Sequence, residues 1–136
     1  MWTGRSGRLG PRNGSGRGCP GVSASRCAGL TQFGVNLLRL PPGCASSQRH
    51  WHSRQDEFVY VVAGEVVLVT DGGEQLLSAG MAAGFPKGLP DGHHLINRGA
   101  ADALVLEVGD RPAGDEADYP DIDMLVRWID GKARYV

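Results

Sequence analysis

"RHWHSRQDEFVYVVAG", residues 49–64, decides how this chain is read. It sets His50 and His52 one residue apart, follows them with Asp56 and Glu57, and ends in a strand-forming run closed by Gly64. Side chains on a strand alternate with period two. Gln48, His50 and His52 therefore share one face, and Arg49 and Trp51 point the other way. On the next strand Glu57, Val59 and Val61 share a face, with Phe58 and Tyr60 opposite as packing residues. If that strand folds back antiparallel beside the first, Glu57 lies next to both histidines at the mouth of the turn. Two neutral imidazoles and a carboxylate form a facial set that leaves coordination positions open for water or substrate. An HxH pair alone is also what an ordinary exposed strand carries, so a further ligand has to come from elsewhere.

The second informative stretch is "GMAAGFPKGLPDGHHLIN", residues 80–97. It supplies His93 and His94 at the start of a strand. Alternation puts His93, Leu95 and Asn97 on one face and His94 and Ile96 on the other. Only one histidine of the pair points inward unless the strand is bulged.

Between and around these stretches the pattern is short and strand-like. "LTQFGVNLLRL" runs into the turn signal "PPG" at Pro41 to Gly43, and "EFVYVVAGEVVLVT" bends at Gly64. "DGG" at Asp71 to Gly73 is hairpin chemistry. "ALVLEVG" is an apolar strand ending at Gly109. Short strands at intervals of about 8–12 residues, with nothing helical between them, predict an all-β sandwich or barrel. "DRPAGDEADYPD" reads as polar and irregular. "MLVRWIDGKARYV" reads as a last hairpin turning at Asp130-Gly131.

The 136 residues are enough for one core and one domain. Eight arginines and no carboxylate precede Asp56, and all 15 acidic residues follow Gln55. The arginines are scattered rather than blocked, which argues against nucleic-acid binding. Three cysteines (Cys19, Cys27 and Cys44), without a CxxC pair, argue against a disulfide framework or a zinc knuckle. No apolar run reaches the roughly 18 residues that span a membrane. Residues 1–29, with eight glycines and no hydrophobic period, read as a flexible tail. A cytoplasmic location is the default expectation.

The motifs together resemble the cupins. That family's first motif has a glycine, HxH, a glutamate and a glycine; here these are Gly43, His50, His52, Glu57 and Gly64. Its second has a glycine, PxG, a histidine and an asparagine; here these are Gly80, Pro86, Gly88, His93 and Asn97. Both occur in order, 15 residues apart. Departures are one extra residue between Gly43 and His50, Met81 in place of an aspartate, and a longer "LPDG" between Gly88 and His93. The resemblance implies a cupin-type double-stranded β-helix, or jelly-roll barrel, over residues 30–110, with residues 111–136 a C-terminal extension carrying a short hairpin.

It also implies His50, His52, Glu57 and His93 as ligands of one divalent transition metal ion (Fe, Mn, Ni, Cu or Zn). Gln48 and Glu57 are the candidates for contact with a substrate in the pocket. The expected function is a metal-dependent enzyme acting on a small polar or oxygenated metabolite, as an isomerase or epimerase, decarboxylase, lyase or dioxygenase. The alternative is a non-catalytic sensor or small-molecule binder. A homodimer is expected, with no nucleic-acid or membrane partner.

Overall fold

The computed structural model describes the backbone of residues 21–23 and all of residues 29–136. Its elements are twelve strands: β1 (Gly21–Ser23), β2 (Phe33–Leu40), β3 (Trp51–His52), β4 (Glu57–Ala63), β5 (Glu65–Thr70), β6 (Gly73–Ser78), β7 (Ala82–Phe85), β8 (His94–Ile96), β9 (Ala103–Asp110), β10 (Ala117–Tyr119), β11 (Met124–Ile129) and β12 (Lys132–Tyr135). They form three sheets ordered β1-β2-β9-β4-β7, β12-β11-β10-β3 and β6-β5-β8. The all-β barrel expected from the strand spacing is what forms. No helix among the described residues is long and apolar enough to cross a membrane.

Alternation places the core. On β4, Val59 and Val61 are buried, whereas Phe58, Tyr60 and Val62 face outward and are exposed rather than packed. β2 turns Leu38 and Leu40 inward, and β9 turns Ala103 and Val105 inward directly opposite them. Val66, Leu68, Leu77 and Leu95 close the cluster from the three-stranded sheet. Further along the same inward rows the residues change character, to Asn36 on β2, Glu57 on β4 and Glu107 on β9. One end of the barrel is therefore sealed with aliphatic side chains and the other is polar. Burial of the aliphatic end stabilises the fold and leaves the polar end free for chemistry.

Gly64 joins β4 to β5 with φ of +74°, and a Cβ there would lie 2.9 Å from the carbonyl oxygen of Asp102. Both conditions require glycine. The last hairpin turns at Asp130 and Gly131, with φ of +52° and +72°, which is the twist a two-residue hairpin loop needs.

Two features of the chain's ends were not expected. The Gly21–Ser23 strand, inside the stretch read as a tail, pairs antiparallel with β2; residues 1–20 and 24–28 of that stretch, with Cys19 and Cys27, lie outside the described residues. The irregular stretch after Gly109 contains β10, which pairs with β3 through Ala117↔His52 and Asp118↔Trp51. The C-terminal extension is thus stitched to the histidine-bearing strand.

Candidate metal site

His50 and His93 stand directly opposite each other in an isolated antiparallel bridge. They exchange both backbone hydrogen bonds, His50 N–H to His93 O at 3.2 Å and His93 N–H to His50 O at 2.9 Å. The bridge brings the two motifs together although 43 positions separate them in sequence. His52 follows two residues on, on the same face.

Glu57 does not arrive as the alternation argument supposed. Its strand is not a neighbour of β3: β4 pairs with β7 and β9 in another sheet, and β3 pairs with β10. The segment "SRQD", residues 53–56, crosses between sheets instead of making a hairpin. Asp115 accepts the backbone N–H groups of Arg54 (2.8 Å) and Gln55 (3.1 Å), and Asp110 accepts that of Asp56 (2.8 Å). Glu57 therefore reaches the histidines from across the barrel mouth.

The four side chains converge. Glu57 Oε2 lies 2.8 Å from His93 Nε2 and 3.9 Å from His50 Nε2, and Glu57 Oε1 lies 3.5 Å from His52 Nε2. Donor atoms of His50, His52 and Glu57 all fall within 4.8 Å of one another. On the far side of each ring, Nδ1 meets an acceptor: the Gln48 carbonyl at 2.8 Å from His50, Asp115 Oδ2 at 2.5 Å from His52, and the Asp91 carbonyl at 3.4 Å from His93. An Nδ1 facing an oxygen acceptor carries its proton there, which leaves Nε2 as a lone-pair donor. Three such nitrogens then point at a carboxylate that can only accept. A cation, or a shared proton, is what makes such a set stable, and a divalent ion fits it.

The rings are held from outside as well. Phe85 stacks on His93 with centroids 3.6 Å apart and planes within 1°. Tyr119, from β10, stacks on His50 at 5.3 Å. Burial lowers the basicity of His50, which keeps its imidazole neutral as a ligand must be. Arg49, on the opposite face, binds Asp121 and Asp71 and donates to the Gly92 carbonyl, so the segment bearing His50 is tied to three loops.

A cavity of about 300 Å³ opens beside the cluster, lined by His50, Glu57, His93, Asn36, Ser47 and Glu107 among others. Gln48 does not line it; its side chain is exposed, and its carbonyl serves His50. Gln55 lines the cavity instead. His94 hydrogen-bonds the Ser47 carbonyl through Nδ1 at 3.0 Å, so of the histidine pair only His93 contacts Glu57. Trp51, read as facing away, is half-buried and lines a smaller hollow with Pro86 and Leu89. Asn97 is fully buried and donates to the carbonyls of Leu40 and Ala101, both at 2.7 Å, so its role is structural. Asp115, Tyr119 and Glu107 were not singled out from the sequence. Glu107 did carry a signal, being in phase with Ala103 and Val105.

No curated protein matches the chain. Among solved structures, a sugar phosphate isomerase of the cupin superfamily from Silicibacter pomeroyi is 44% identical, with 88% of this chain and 76% of that one covered and a TM-score of 0.83. A protein provisionally named as a sugar phosphate isomerase from Acidithiobacillus ferrooxidans is 27% identical, with 87% and 76% covered and a TM-score of 0.79. A predicted oxalate decarboxylase from Thermotoga maritima, 23% identical over 82% of this chain and 100% of that one at a TM-score of 0.60, shares the fold alone. The model of the cupin domain family matches residues 36–109, the span that holds both histidine motifs and the strands from β3 to β8 with most of β2 and β9, and the chain belongs to that family.

Proposed function

We propose that this protein is a metal-dependent isomerase of a small phosphorylated sugar, with His50, His52, His93 and Glu57 holding one divalent first-row ion. The observation that carries the reading is the convergence of three Nε2 lone pairs on the Glu57 carboxylate beside an open cavity. The 44% identical relative named as a sugar phosphate isomerase supports the substrate class. When bound, the ion would polarise a substrate carbonyl or hydroxyl.

The chain's own residues account for the rest. Asn36, Ser46, Ser47 and Gln55 line the cavity with amide and hydroxyl groups suited to a polyhydroxy molecule. Phe85 and Tyr119 hold the imidazole planes, and Asp115 keeps the His52 Nδ1 proton outward, so that ligand geometry is set before substrate arrives.

Metal analysis of the purified protein tests the first half, and an interconversion assay with aldose and ketose phosphates tests the second. One equivalent of a first-row ion and turnover of at least one phosphate pair are expected. Failure to retain or bind such an ion at micromolar concentration would overturn the reading.

A further inference from the structure

β9 turns Ala103, Val105 and Glu107 toward the barrel interior, and the first two are fully buried. A wall of this kind ordinarily stays apolar, yet its third inward position is a carboxylic acid. Asn36 of β2 and Val59 of β4 flank it in the sheet. The Glu107 carboxyl makes no hydrogen bond or ion pair with any described residue. Every fully buried side-chain oxygen or nitrogen among the described residues has a partner, so the Glu107 oxygens are reached from the cavity that they line.

Register locates this acid relative to the candidate ligands. Glu57 pairs with Gly109, and Val59 pairs with Glu107. Glu57 and Glu107 are therefore diagonal neighbours on one face, with side-chain origins about 7 Å apart. That separation keeps Glu107 out of the cluster of donor atoms but within reach of a small molecule seated against it. The charged or titratable groups that share its cavity are Glu57 from β4, His50, His93 and His94 from the opposite wall, and Arg111 at the end of β9.

We infer that Glu107 is the proton-transferring residue of the isomerisation. This rests on the isomerase reading. The Glu107 carboxylate takes the hydrogen from the hydroxyl-bearing carbon beside the carbonyl. The electron pair of that C–H bond forms a carbon–carbon double bond, and the carbonyl π pair moves to its oxygen. The hydroxyl proton passes from one oxygen to the other, and Glu107 returns its proton to the former carbonyl carbon. The substrate leaves with its carbonyl moved by one carbon, and no oxidant, reductant or external proton is consumed. Burial raises the Glu107 carboxyl above its ordinary value, which suits a group that must both accept and donate near neutrality.

The test compares the metal-loaded full chain with its Glu107→Gln and Glu107→Asp variants in deuterium oxide. The probes are the terminal phosphates of glucose, mannose, ribose and arabinose, and proton NMR follows exchange at the carbon beside the carbonyl. Glu107→Gln is expected to lower exchange by about 100-fold or more, and Glu107→Asp to recover part of it. Metal content and calorimetric affinity for the same phosphates should stay within about threefold of wild type. Exchange retained by Glu107→Gln within about tenfold would overturn the assignment and leave the isomerase reading standing. Loss of metal or phosphate-sugar binding in that variant would also overturn it, by making Glu107 a structural support. If metal-loaded wild type neither exchanges nor converts any probe, the isomerase reading falls and this assignment with it.

Discussion

Asp115 Oδ2 lies 2.5 Å from His52 Nδ1, and its other oxygen accepts the backbone N–H groups of Arg54 and Gln55. One carboxylate thus orients an imidazole and fixes the loop that carries the chain across to Glu57. Replacing it by asparagine preserves shape but weakens the acceptor facing Nδ1, and replacing it by alanine also abandons the loop. Asp115→Asn is therefore expected to lower metal affinity by about 10- to 100-fold. Asp115→Ala should lower it as much and cost about 1–3 kcal/mol of stability from the unpaired N–H groups. Chelator competition and urea melts measure the two effects. An unaltered affinity in both variants would show that His52 is not held through this contact.

The histidine pair gives a sharper contrast. His93 is buried with Nε2 at 2.8 Å from Glu57, whereas His94 is turned to the Ser47 carbonyl. His93→Ala should abolish stoichiometric metal binding and His94→Ala should retain it, as read by elemental analysis after dialysis. The opposite result would mean that the inserted "LPDG" shifts the strand phase in solution.

Much of the site is legible in the sequence because two strand-borne motifs carry it. Period-two alternation puts His50 and His52 on one face and lets only one of His93 and His94 point inward; the preference for His93 needs the Asn97 spacing of the second motif as well. The arrival of Glu57 is not legible in this way, since local alternation cannot tell a hairpin from a crossing between sheets. The crossing is decided by Asp115 and Asp110, which cap the 53–56 segment from 61 and 54 residues away in sequence. Asp115 and Tyr119 lie in "DEADYPD", which has no hydrophobic period to mark β10 or its partner. Backbone pairing with β3 creates their roles.

Glu107 gives stability a dependence on pH. Its carboxyl is raised in the fold from an ordinary value near 4.5 to about 7, by burial first and the Glu57 charge second. Below about pH 4.5 the group is protonated in both folded and unfolded chains and contributes no slope. Between that point and about pH 7 the unfolded chain ionises while the fold stays protonated, so stability falls as pH rises, and it levels above. The loss is on the order of 2 kcal/mol, allowing for contact with solvent through the cavity. Glu107→Gln removes the group, so the difference in unfolding free energy between wild type and variant should shift in the variant's favour from pH 4.5 to pH 7.5. A constant difference across that range would show that the carboxyl is ionised in the fold.

Asn97 separates the family's structural motif from its chemistry. Its amide donates to the carbonyls of Leu40 and Ala101, and its oxygen accepts the Gly99 N–H at 2.8 Å. These bonds tie the end of β2 to the loop between β8 and β9, at the aliphatic end of the barrel, where water cannot replace them. Asn97→Ala leaves two carbonyls and one N–H without partners and opens a small void. A loss of about 2–4 kcal/mol is expected. Because His93 keeps its backbone bridge to His50, the folded variant should still bind one equivalent of metal at low temperature. Urea unfolding combined with metal titration at 10 °C below the variant's melting point tests both halves. Loss of metal binding in a still-folded Asn97→Ala protein would instead place this asparagine among the residues that shape the site.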